Sequence, residues 1–187
     1  MIKPLFSLCT LCCFLKGLQA LSLDEKIFQV LEEPEEVARI LEAGGNVNAV
    51  DPRSGQTPLM ASVLRGYADT VRFLLTETDA DPSIPEKDGY TPAHGAGFQG
   101  RAAIMKFLHE QGIDVMSDYH EDGYLPLHRA CWGRAERHAD TVRVLLELGV
   151  DPKVPSRNGK TCHDMSPNRL TLDVLDEYIP ASESDEL

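Results

Sequence analysis

Apolar residues recur along this chain in triplets at i, i+3 and i+4: Val37/Ile40/Leu41, Val71/Leu74/Leu75, Ile104/Phe107/Leu108 and Val142/Leu145/Leu146. That spacing puts each triplet on one face of a helix. Gly44-Gly45, Gly112 and Gly149 follow three of them, and a glycine just past a helix is its usual stop. Ahead of the last three triplets stands a second phrase: Gly55-Gln-Thr-Pro-Leu-Met-Ala, Gly89-Tyr-Thr-Pro-Ala-His-Gly-Ala and Gly123-Tyr-Leu-Pro-Leu-His-Arg-Ala. A degenerate copy begins at Gly159, so the four glycines are spaced 34, 34 and 36 residues apart. Thr-Pro starts a helix well, because proline loses nothing in the first turn, where its missing N–H would be unpaired anyway. The pattern therefore predicts a short helix, a turn near Gly66 or Gly100, and a second, antiparallel helix.

One such unit is too small to bury its own apolar stripe, so neighbours must stack and the stack must be the folding unit. The phrases resemble the ankyrin repeat family, whose unit of about 33 residues carries a Thr-Pro-Leu-His-x-Ala signature. The resemblance covers roughly residues 35–165 and is reinforced by the Asp81-Pro82 and Asp151-Pro152 pairs. It implies an all-α solenoid of helix-turn-helix units joined by hairpin loops. Three full repeats are expected at 51–83, 85–116 and 119–152, between a capping helix pair at 21–50 and a degenerate capping repeat at 153–179.

Departures from the signature carry their own expectations. Met60 replaces His in the first repeat, Ala93 replaces Leu in the second and Leu125 replaces Thr in the third, so the hydrogen bonds of His and Thr should be missing there. Gly95 and Gly97 fall inside one helix, each costing about 1 kcal/mol against Ala, which should soften the central repeat. The third repeat carries three extra residues within 133–138, expected in the turn between its helices.

The two ends read differently from the body. Lys3 precedes an apolar run at 5–15, LFSLCTLCCFL, and Ala20 offers a small residue for cleavage. This is a secretory signal-peptide pattern, too short to span a bilayer as a helix. The chain closes on Ser184-Asp185-Glu186-Leu187, similar to the KDEL-type signals read by the lumenal retention receptor. Together they lead us to expect residence in the endoplasmic reticulum lumen, with a secreted chain or an uncleaved, cytoplasmic one as the alternatives. No membrane insertion of the mature chain is expected.

Composition narrows the chemistry. The 187 residues are 42% apolar, enough for one domain with a core. Eighteen Lys and Arg against 30 Asp and Glu give −12, and no basic block offsets this, so nucleic acid is not an expected partner. Cys9, Cys12 and Cys13 lie in the leader, leaving Cys131 and Cys162. In helical register these two fall about 7.5 Å apart along the axis and a helix width apart sideways, so two free thiols are expected. A zinc or catalytic site from His128, Cys131 and His163 is the weaker alternative. The resemblance implies that His94 and His128 hold their turns, and no metal, cofactor or catalytic residue is expected.

What remains is a surface. Stacking aligns equivalent positions into columns, which read Leu64, Phe98, Trp132 and Gln56, Tyr90, Tyr124, Lys160. The family resemblance implies that such hairpin and inner-helix positions contact partners. Four aromatics stand there, including the single Trp, and aromatics make good anchors. Lys87, Asp88, Gln99, Glu121 and Asp122 would rim them. The expected function is therefore non-enzymatic: binding of a protein or peptide through the concave face, centred on Leu64, Lys87, Tyr90, Phe98, Gln99, Glu121, Tyr124 and Trp132. The alternative is that the rings pack against their own hairpins or the insertion.

Overall fold

A computed structural model of the chain describes residues 21–179. The expected leader at 1–20 and the Ser184-Asp185-Glu186-Leu187 tail lie outside the described residues. Among these, ten helices run in order: α1 (Leu23–Ile27), α2 (Pro34–Glu42), α3 (Pro58–Arg65), α4 (Ala68–Glu77), α5 (Pro92–Gln99), α6 (Ala102–Glu110), α7 (Pro126–Cys131), α8 (Glu136–Glu147), α9 (Cys162–Met165) and α10 (Arg169–Tyr178). They form consecutive pairs stacked in single file. Inner helices touch inner helices (α3–α5–α7–α9), and outer touch outer (α2–α4–α6–α8–α10). The all-α solenoid expected from the repeats is the architecture found.

Local chemistry sets the boundaries. Pro58, Pro92 and Pro126 each open an inner helix, and Gly66 and Gly100 close α3 and α5 in the left-handed region, at φ 84° and 67°. Thr57 Oγ1 accepts the Met60 N–H at 3.2 Å, and Thr161 with Asp164 forms a reciprocal capping box on α9. Where Leu125 replaces Thr, the cap is rebuilt: His128 Nδ1 accepts the Leu125 N–H at 3.0 Å. That leaves the imidazole proton on Nε2, which donates to Val154 O at 3.1 Å, in the next repeat. The hairpin glycines Gly55, Gly89, Gly123 and Gly159 recur with φ of 71°, 87°, 87° and 81°.

The outer helices run 9 to 12 residues from α6 to α8 and would be marginal alone. They are held by one continuous core that takes in Val71, Leu74, Ile104, Leu108, Val142, Leu145, Val174 and Leu175. Each such side chain is worth about 1.5–3 kcal/mol buried rather than exposed.

Three expectations need correction. The extra residues of the third repeat do not all lie in the turn. α8 begins at Glu136 and runs 12 residues, against 10 in α4 and 9 in α6, so residues 136–138 form an added first turn of an outer helix. That turn caps the preceding repeat: Arg137 Nε donates to Gln99 O at 2.9 Å, and His138 Nε2 lies 3.2 Å from Phe98 O. Gly133 lies flat against the His138 ring, where a Cβ would overlap it.

Gly97 is also more than a soft point. A Cβ there would overlap Pro126 O, so the bare glycine is what lets α5 and α7 approach at backbone distance. Finally, Cys131 and Cys162 are not free thiols. They form a disulfide, with Cα atoms 5.6 Å apart, within the usual range for such a bond. Equivalent positions of neighbouring inner helices do not lie side by side. The inner helices are instead staggered, so the last turn of one meets the first residue of the next.

Candidate partner-binding site

The inner helices place two columns on the concave face. One is the expected Leu64, Phe98, Trp132; the other, three residues earlier, reads Ala61, Gly95, Arg129. Gly95 lets the Met60 and Leu64 side chains press against its backbone: a Cβ there would meet Met60 Cε at 3.0 Å and Leu64 Cδ2 at 3.2 Å. Gly95, Met60 and Leu64 line a cavity of about 260 Å³. Of the candidate contact residues, Leu64, Tyr90, Phe98 and Gln99 lie on its wall, joined by Met60, His94, Glu86 and Arg129. Phe98 is 55% exposed, the most exposed large apolar side chain of the group.

Tyr124 and Trp132 sit beside the cavity, and their faces are occupied. Arg129, only 5% exposed, lies 4.6 Å from the Tyr90 ring centre, 4.6 Å from that of Trp132 and 5.3 Å from that of Tyr124. Such stacking of a desolvated guanidinium is worth about 2 kcal/mol per good contact. Arg129 also pairs with Asp122 and donates to Tyr90 Oη at 3.1 Å. Tyr124 meets Trp132 edge to face at 4.8 Å and accepts a hydrogen bond from Asn158 at 2.7 Å. Tyr90 stacks on His120 at 4.0 Å and donates to Asp122 at 3.2 Å. Lys87 and Glu121 stand exposed at hairpin tips.

Electrostatics tie this wall together. Burial works to raise the Asp122 carboxyl, but hydrogen bonds from His120 and Arg129, with the Arg129 charge, bring it down to about 2. Burial pushes both His94 and His128 below the ordinary imidazole value; beside His94 the Asp118 carboxylate opposes that shift. Both rings reach forward one repeat, His94 Nε2 lying 3.2 Å from Tyr124 O. Their geometry is that of struts between hairpins.

Among the described residues no group of three or more His, Cys, Asp or Glu could hold a metal ion, and no helix is long and apolar enough to cross a membrane. Cys131, considered for zinc or catalysis, is engaged in the disulfide. His163 lies on the surface, 3.4 Å from Asp176.

The family profile described as ankyrin repeats in three copies matches residues 29–119 and 79–156. The chain belongs to the ankyrin repeat family. A comparison with curated proteins finds none that matches. Ankyrin repeats make this chain a protein–protein interaction module, and proteins of the ankyrin repeat family are generally non-enzymatic scaffolds. On this ankyrin surface, Met60, Glu86, His94, Gly95 and Arg129 line the cavity without being expected as contact residues. The signal was available: Gly95 and Arg129 occupy the open position of the ankyrin signature, between its His and its Ala.

Proposed function

We propose that the protein is a non-enzymatic adaptor of the endoplasmic reticulum lumen that captures a protein partner on its concave face. The observation that carries the binding reading is Phe98, an exposed ring on the wall of an apolar cavity, on a helix otherwise buried from Pro92 to Gly97. Large exposed rings of this kind anchor interfaces. The lumenal reading is supported by the Cys131–Cys162 disulfide, because such bonds persist in oxidising compartments and are rare in the cytosol. The leader pattern and the Ser184-Asp185-Glu186-Leu187 signal agree with it, and imply recognition by the lumenal retention receptor.

The test uses the full chain in cells, with a photo-crosslinking amino acid at position 98. A discrete cross-linked partner, absent when the crosslinker is moved to the outer-face position Lys106, supports the reading; no cross-link contradicts it. Protease treatment of intact microsomes tests the compartment. A lumenal chain survives until detergent is added, whereas digestion without detergent assigns it to the cytoplasm.

A further inference from the structure

We infer that the partner presents an extended segment carrying one bulky apolar side chain flanked by lysine or arginine; this rests on the concave-face reading above. Cavity size sets the first part. About 260 Å³ falls below the roughly 300–1,000 Å³ of cofactor-sized pockets. It suits a single Leu, Met or Phe side chain, which would meet Met60, Leu64 and Phe98.

Charge sets the second part. The hairpins at 84–89 and 118–123 flank the cavity mouth and carry five carboxylates, Glu86, Asp88, Asp118, Glu121 and Asp122, against Lys87. Two of the five are engaged inside the fold: Asp122 with Arg129, and Asp118 with the Thr91 hydroxyl at 2.8 Å. Glu86 lines the cavity itself, and Asp88 and Glu121 are exposed on the same two hairpins. Arg129, the cation on the wall, is sealed by Asp122 and the rings and adds little outward charge. An apolar anchor entering here would therefore carry its neighbours into an acidic rim, where basic side chains gain and acidic ones are repelled.

Fluorescence anisotropy of labelled synthetic peptides against the full, oxidised chain tests this. The probes share one extended sequence and differ in two places: Leu or Gly at the centre, and Lys or Glu on the flanks. The Leu-centred, Lys-flanked peptide binds, and either change weakens it by about tenfold or more. Gly95→Leu adds a side chain to the cavity lining, crowds the cavity and abolishes the preference for Leu over Gly. Phe98→Ala, at an exposed site that does not threaten folding, weakens the Leu-centred peptide by about tenfold. Glu86→Gln reduces the preference for Lys over Glu flanks. Equal binding of Glu- and Lys-flanked peptides overturns the inference, as does wild-type affinity in Phe98→Ala or no binding by any probe. A partner cross-linked at position 98 through an acidic or wholly polar segment would overturn it while leaving the protein-binding reading intact.

Discussion

Cys131 and Cys162 stand across one inter-helix step as Gly97 and Pro126 stand across the step before it. In each case the sixth residue of an inner helix meets the first residue of the next. At the earlier step the contact is a bare glycine against a carbonyl oxygen. At the later step it is a disulfide that ties the last full repeat to the C-terminal cap.

Breaking that bond should loosen the cap. The cysteines are 31 residues apart, and closing a loop of that length is worth about 3–4 kcal/mol in the chain-entropy account. Cys131→Ser with Cys162→Ser should lose stability of that order in urea denaturation. Non-reducing mass spectrometry of the native chain should find no free thiol outside the leader. Two titratable thiols in the folded chain would contradict the assignment.

Gly97→Ala raises helix propensity yet should destabilise. Its Cβ would press on Pro126 O, which is backbone and cannot swing aside. Overpacking of this kind costs about 1–3 kcal/mol. Gly95→Ala faces only the flexible Met60 and Leu64 side chains and should be far milder. Thermal melts of the two variants give the comparison; an equal or greater loss for Gly95→Ala would overturn it.

How much of this was legible beforehand divides along the chain's own logic. Helix starts at Pro58, Pro92 and Pro126, the stops at Gly66 and Gly100 and the hairpin glycines are fixed by local backbone chemistry, so the residues themselves announce them. The stagger between inner helices is not local: a period within one repeat says nothing about the offset to the next, and the cysteine pair was misplaced for that reason. Arg129 escaped because its role depends on Tyr90, Tyr124 and Asp122, brought from two hairpins, and on Trp132 at the end of its own helix. The helical placement of the insertion escaped because Arg137 and His138 find their partners, the Gln99 and Phe98 carbonyls, one repeat back.

Acid should weaken the stack in a defined window. Unfolded imidazoles take up protons as pH drops through 6.5, while His94 and His128, buried and hydrogen-bonded forward, resist. The folded state then binds fewer protons than the unfolded one, so stability falls as pH drops below that value. Urea denaturation from about pH 7 to about pH 5 should show the loss, and His128→Gln should reduce its slope. A flat profile would contradict the account of these rings as neutral struts.

The central claim is that binding rests on the free ring of Phe98, whereas the ring of Trp132 serves the fold. Partner capture and melting temperature, measured side by side for Phe98→Ala and Trp132→Ala, test it most directly. Phe98→Ala should lose capture while melting as the wild type does, and Trp132→Ala should melt lower because Arg129 and Tyr124 lose their packing. Undiminished capture by Phe98→Ala would contradict the claim.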